Sequence, residues 1–218
     1  MATHAVVVSG AGRYADPWHP FAETSAQLAE ILAEAGFDAE VDEAVDERLA
    51  DPSGAELLVL NIGNPKDPHQ ADAAVRAGLR AHLESGRPLL AVHVSSTSLP
   101  GVPEWERMLG GIWVRGTTYH PPYGPSEVEI VDREHPITRP IADFVLPDER
   151  YTELRVDPGV RVLAQHTLDG VAHPLVWEHR YGPARVLYDA LGHDAASFRS
   201  PEHRLLLRRA ALWLVDSL

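Results

Sequence analysis

Cysteine is absent from the 218-residue sequence. Disulfides, thiolate metal sites and thiol nucleophiles are therefore excluded. Positive charge is scarce: 19 Lys and Arg residues face 32 Asp and Glu, a formal net charge of −13. That balance argues against nucleic acid and anionic membrane as partners, since both demand clustered positive charge. Long apolar runs are missing too, and none approaches the roughly 20 residues that span a bilayer. Met1 to Ser9 lacks a basic region followed by a long apolar run, so no signal peptide is expected and the cytoplasm is the expected location.

What is present suits one α/β domain over residues 1–218. Hydrophobic residues make up 44% of the chain, enough for a sizeable core. Twelve histidines direct attention to metal or acid–base chemistry. Ala5-Val6-Val7-Val8, Leu57 to Ile62 and Leu89 to His93 are apolar runs of strand length, and Phe37 to Asp42 alternates. Between them, Phe21, Leu28, Ile31, Leu32 and Ala35 recur at helical spacing, as do Val75, Leu79, His82 and Leu83. This β-α-β order predicts parallel strands with right-handed crossovers, and function at their carboxyl ends. Further strands are expected at Ile112 to Thr118, Glu127 to Val131, Val160 to Gln165, Leu175 to His179 and Arg185 to Ala190. A short helix is expected at Trp105 to Leu109 and a final one at Glu202 to Leu218.

Gly10-Ala11-Gly12-Arg13-Tyr14-Ala15 matches a dinucleotide fingerprint, with Asp42 ending the next strand. That fingerprint needs a helix opening within the glycines. Pro17 and Pro20 delay the helix, so nucleotide binding is not expected. The same loop places Arg13, Trp18 and His19 at the mouth of the sheet, where a Trp stacks on a sugar and polar groups bond it, or where Trp18 only packs the loop down.

Strand–turn–helix elbows present one side chain at the top of a sheet. After the dry strand Leu89 to Val92 that side chain is His93, with Ser95 and Ser96 as alternative nucleophiles. His120 precedes Pro121 and is held in an extended backbone. His135 reads as structural. Asp148-Glu149-Arg150-Tyr151 is an acidic–aromatic cluster of the kind that is usually solvated. His193 follows Gly192 just past a strand end, and Asp194 is placed to orient its imidazole.

These pieces together resemble the ThuA-like (trehalose utilisation) family of the class I glutamine amidotransferase-like superfamily, over nearly the whole chain. The marks are Ala91-Val92-His93-Val94-Ser95, where the family often has G-x-H-S-A, then Glu134-His135-Pro136-Ile137-Thr138 and Asp148-Glu149-Arg150-Tyr151. His173 to Trp177 and Tyr181 to Tyr188, leading to Gly192-His193-Asp194, complete the series. Ala91, Val94-Ser95 and Ala184 depart from the pattern. The resemblance implies a flavodoxin-like three-layer sandwich with a mostly parallel sheet and a smaller antiparallel β extension. It implies a pocket lined by His93, His120, Glu149 and His193, raises Glu149 and Tyr151 above an ordinary charge run, and gives a context in trehalose and related disaccharide catabolism.

The expected function is therefore an enzyme acting on a sugar or keto-sugar, a hydrolase, lyase or isomerase of disaccharide derivatives. His93 and His193 transfer protons, or hold a divalent metal such as zinc with Glu149 or Asp194 as carboxylate. Arg13, Trp18, His19, His120, Tyr151 and Asp194 are the candidate substrate contacts, with a small-molecule carbohydrate as partner. One alternative is a non-catalytic carbohydrate-binding or regulatory protein. Another is a serine hydrolase using Ser95 or Ser96 with His193 as base. Glutamine amidotransfer is rejected for want of its nucleophile. A homodimer seeded by Trp105 and Trp113 is weighed against ordinary core packing of those rings.

Overall fold

The computed structural model describes residues 2–218. Its centre is a nine-stranded sheet. The strands of the first half are β1 (His4–Ser9), β2 (Asp38–Asp42), β3 (Leu57–Asn61) and β4 (Leu89–Val92), joined through helices α1 (Phe21–Glu34), α2 (Val45–Ala50) and α3 (Asp72–Glu84). The second half adds α4 (Trp105–Leu109), β5 (Gly111–Ile112), β6 (Gly124–Ile130), β7 (Phe144–Asp148), β8 (Arg155–Val156), β9 (Arg161–Leu168), β10 (Val171–Tyr181), β11 (Ala184–Asp189) and α5 (Pro201–Leu214).

The sheet order is β2-β1-β3-β4-β11-β10-β9-β6-β7. The first five strands run parallel and the remaining four continue antiparallel. The parallel strands are dry because helices cover both faces: β1, β3 and β4 are buried at nearly every position. The antiparallel strands alternate, as in the buried–exposed pattern of β7, because one of their faces meets solvent. Helix α1 packs beside α5, and α2 beside α3. Right-handed crossovers put these pairs on opposite faces, which makes three layers. Among the described residues no helix is long and apolar enough to cross a membrane.

Several local expectations change. Ile112 to Thr118 is not one strand. Only Gly111–Ile112 pairs, with β8, and the chain then turns where Thr117 and Thr118 donate to the Val114 carbonyl. Gly116, at φ +81°, completes that turn. The last helix ends at Leu214 and buries His203, Leu206, Leu207, Ala210 and Ala211, leaving Leu212 and Trp213 half-buried. Trp105 is a core residue, its indole N–H donating to the Ser95 carbonyl (3.0 Å), so it seeds no interface.

The connection from β1 leads to β2 on one side, while β3 leads to β4 on the other. That reversal makes a crevice outside the carboxyl ends of β1 and β3. The loop after β1 is tied across it: the Gly10 N–H donates to the Asn61 carbonyl (2.9 Å), and the Gly63 N–H donates to the Tyr14 carbonyl (2.8 Å). Gly63 is needed there, since a Cβ would lie 2.2 Å from the Tyr14 carbonyl oxygen.

Candidate active site

A cavity of about 670 Å³ opens at this crevice. It falls within the range of roughly 300–1,000 Å³ usual for small-molecule sites. Loops after β1, β3, β4, β7 and β11 all contribute to it. Trp18 and Trp113 form apolar walls, with Trp18 70% exposed. An exposed indole beside a cavity is a ready platform for a ligand face.

His93 stands at the sharp turn after β4 with φ +47°. A non-glycine residue in that region carries roughly 1–3 kcal/mol of backbone strain, and persists only where its surroundings hold it. The Tyr188 hydroxyl donates to the His93 carbonyl (2.7 Å) from beneath and lies 3.0 Å from the Ser96 hydroxyl. The His93 Nδ1–H donates to the Ala190 carbonyl (2.7 Å), because a carbonyl only accepts. Nε2 is then the lone-pair nitrogen, and it accepts from the Tyr151 hydroxyl (2.9 Å). Tyr151 is fully buried, and that burial pushes its phenol well above its ordinary pKa, so it stays a donor.

His193 is delivered by the loop after β11. Asp148, itself buried, holds that loop: its carboxylate accepts from the N–H groups of Gly192 (2.8 Å), His193 (3.2 Å) and Glu149 (2.8 Å). The bonds to Gly192 and His193 fasten the end of an antiparallel strand to the end of a parallel one. Glu149 follows directly and becomes the hub. Its carboxylate lies 3.3 Å from His193 Nδ1, 3.5 Å from His93 Nε2 and 3.5 Å from His120 Nε2. Burial alone raises the Glu149 pKa, but its contacts with His193 and His93 outweigh burial and hold it well below the usual carboxylate range. Burial lowers the pKa of His193, but the reciprocal contact with Glu149 outweighs it and the net shift is upward.

His19 joins the same centre. Its ring centre is 5.2 Å from that of His93 and 5.0 Å from that of His193, while the latter two are 5.5 Å apart. Its Nδ1 sits 2.8 Å from the Asp16 carboxylate and must donate to it. Nε2 therefore carries the lone pair, and it is buried with no hydrogen-bond partner. Burial lowers the pKa of His19 despite Asp16, so the ring is neutral.

His193, Glu149, His19, His120, Tyr151 and Trp18 thus line one cavity, and His93, itself buried, stands behind them within reach of Glu149 and Tyr151. Arg13 does not line it. Its guanidinium is taken by Asp46 of α2 (2.7 Å) and Asp72 of α3 (2.7 Å), carboxylates that a side chain leaving the post-β1 turn meets first. Asp194 does not orient His193 either. Its carboxylate accepts from the Ala196 N–H (2.7 Å) in a local turn and from the Tyr123 hydroxyl. Ser95 and Ser96 are fully buried. The Ser95 hydroxyl donates to the Leu60 carbonyl and accepts from the Ile62 N–H, while Ser96 lies under the elbow beside Tyr188. Neither is presented to His193, which removes the serine nucleophile. Asp16, Asn64, Trp113 and Asp148 were not expected at the site. Asp16 carried one signal, its position three residues before His19.

A family model described as ThuA, trehalose utilisation, matches residues 5–214. No curated protein matches the chain. Among solved structures, a protein described as ThuA-like from Parabacteroides merdae ATCC 43184 is 18% identical, with 99% of this chain and 90% of that one covered and a TM-score of 0.82. A second ThuA-like protein, from Bacteroides uniformis ATCC 8492, is 20% identical over 98% of this chain and 91% of that one, with a TM-score of 0.76. A GMP synthase protein from Thermoplasma acidophilum is 14% identical over 100% of this chain and 99% of that one, with a TM-score of 0.61. At such identities the likeness is one of fold.

Proposed function

The chain belongs to the ThuA (trehalose utilisation) family, and on that premise we propose that it processes a sugar or keto-sugar by proton transfer at its histidine–glutamate centre. The observation that carries this reading is the convergence of three imidazoles and one carboxylate, all but the buried His93 lining a cavity walled by two indoles. Indoles pack against the C–H faces of a sugar ring, while the polar centre faces its oxygens.

The environments of the histidines are pushed in opposite directions, which is how acid and base roles are divided. His193, raised by Glu149 against its burial, is the protonated donor to a substrate oxygen. His19, kept neutral with Nε2 free, is the acceptor. A carbonyl on the ring acidifies the adjacent C–H. His19 takes that proton while His193 protonates the carbonyl oxygen, giving an enediol. Reversal returns both protons, or the enediol O–H proton goes back to His193 as the carbonyl re-forms, the double bond shifts, the C–O bond to the substituent beyond breaks, and His19 gives its proton to the departing oxygen. His93 and Tyr151 form a fixed acceptor–donor pair beside them. No thioester chemistry is open to an elbow whose side chain is an imidazole.

The test is a panel of disaccharides and 3-keto derivatives, scored by thermal shift and by NMR after incubation in D₂O. Binding with deuterium uptake next to the carbonyl, lost in His19→Gln and His193→Gln, is the expected result. Binding with neither exchange nor turnover identifies the chain as a carbohydrate-binding protein instead. If no sugar binds, the reading fails.

A further inference from the structure

We propose that the His19, His93, His193 and Glu149 side chains bind one divalent cation of the zinc class. This inference rests on the reading of the same cavity as the reaction site, and with the ion bound His19 Nε2 and His193 Nδ1 are ligands instead of the free acceptor and the protonated donor, the ion taking over the polarising of the substrate oxygen. One ligand atom from each of the four residues lies within 4.8 Å of all the others. Ligands about 2.0–2.1 Å from a tetrahedral ion sit roughly 3.3 Å from one another. The Glu149 oxygen is already 3.3 Å from His193 Nδ1 and 3.5 Å from His93 Nε2.

Without an ion the site gives His193 Nδ1 only a charge contact with Glu149 at 3.3 Å. It leaves His19 Nε2 buried without a partner, and His193 Nδ1 out of line for a hydrogen bond. A buried polar atom without a partner costs free energy, so native folds seldom keep one without a use. One cation satisfies both nitrogens. The outer contacts are those that metal-binding imidazoles use: Asp16 takes the far nitrogen of His19 (2.8 Å), and the Ala190 carbonyl takes that of His93 (2.7 Å). Each leaves the lone pair on the nitrogen that faces the cluster. His93 Nε2 exchanges its bond from Tyr151 for the cation, which releases that hydroxyl toward the cavity. Nitrogen and carboxylate donors without sulfur suit zinc and its first-row neighbours, and suit magnesium and calcium poorly. When bound, such an ion polarises a carbonyl or hydroxyl oxygen of the substrate.

The experiment uses the full chain, prepared without a histidine tag, stripped with chelator and dialysed against zinc or cobalt. Wild type is expected to hold one equivalent, with cobalt giving the intense visible bands of low coordination number. His19→Gln and His193→Gln each weaken binding at least 10-fold. Tyr151→Phe retains it, because only a competing hydrogen bond is removed. His166→Ala, at a separate buried pair with His173, also retains it. Sub-stoichiometric binding in wild type overturns the proposal, as does unchanged binding in the His19 variant. The cobalt spectrum of wild type decides the matter should a variant fail to fold. If metal fails while sugars still bind and exchange deuterium, this inference falls alone. If metal binds and no sugar does, the functional reading falls instead.

Discussion

Replacing Asp148 by Asn changes two atoms' chemistry and almost no volume, at the joint between the parallel and antiparallel halves of the site. The carboxylate accepts three backbone N–H groups: Glu149 and His193 on Oδ1, Gly192 on Oδ2. The amide oxygen of Asn keeps the first two. Its NH₂ then faces the Gly192 N–H, donor against donor. One charge-assisted bond is lost, at roughly 1.5–3 kcal/mol, and a buried N–H is left without an acceptor at roughly 1–3 kcal/mol more. Relief from burying a charge offsets part of this, and the net expectation is about 2–4 kcal/mol. For a chain of this length each kcal/mol moves Tm by roughly 2–4 °C, so a fall on the order of 10 °C is expected. Denaturant and thermal melts measure it. A second readout separates positioning from bulk stability. The Asp148 charge is among those that raise the pKa of His193, so an NMR titration of that imidazole should move to lower pH in the variant. Stability within about 0.5 kcal/mol of wild type, the range of an ordinary surface substitution, together with an unmoved His193 titration, would refute the claim that this carboxylate holds the loop.

Three further outcomes are expected. Gly78→Ala places a methyl in the middle of α3, where propensity alone gives about 1 kcal/mol of stabilisation. Here, however, the Cβ would meet the Leu49 carbonyl oxygen of α2 at 2.2 Å. Backbone cannot yield as a side chain does, so the variant should lose about 1–3 kcal/mol, and a raised Tm would contradict the close α2–α3 contact. Tyr188→Phe removes the hydroxyl that supports the His93 carbonyl, with an expected loss of about 1–3 kcal/mol. It should also weaken cobalt binding, since the elbow relaxes; a variant that melts lower but binds cobalt as wild type does would separate the two effects and deny the support role. His203, wholly buried against Asp189 at 2.8 Å, has its pKa lowered by burial and raised further by that partner, the net shift being upward. Its contribution is complete below the unfolded value near 6.5 and is lost as pH rises through the higher folded value. His203→Gln strands the carboxylate, at roughly 3–5 kcal/mol below that window, and the gap to wild type should narrow above it. A gap that widens with pH would show the histidine to be neutral in the fold.

The elements that could be read from the chain are those whose own residues settle their environment. β1, β3 and β4 are apolar at successive positions because both faces are covered, and no other strand type needs that. α2 escaped notice because six residues hold only two buried side chains, Val45 and Leu49, too few to make a period. β7 was hidden by Pro147, which is tolerated because the strand lies at the sheet's edge and owes no N–H to a further neighbour. His93 and His193 stood out for the same local reason, each coming directly after a dry strand. Glu149 had no such signal of its own, since a carboxylate in an acidic run is ordinarily solvated. It becomes a hub only because β7 ends beside β11, a neighbourhood set by the Asp148 bonds to Gly192 and His193, residues 44 and 45 positions away.

The same non-local competition explains the residues that were misplaced. Arg13 and His19 leave one loop, and either could have entered the cavity. The guanidinium meets Asp46 and Asp72, 33 and 59 positions away, and is consumed there. The imidazole meets Asp16 in its own turn, which takes one nitrogen and leaves the other free. A guanidinium bound by two carboxylates away from the cavity does not reach a ligand there, whereas an imidazole anchored on one side and unpaired on the other at the cavity is already half of a binding site. By that criterion His19, which the sequence placed only among the substrate contacts, belongs at the centre. A His19→Gln chain that keeps full affinity for both cobalt and sugar would remove it again.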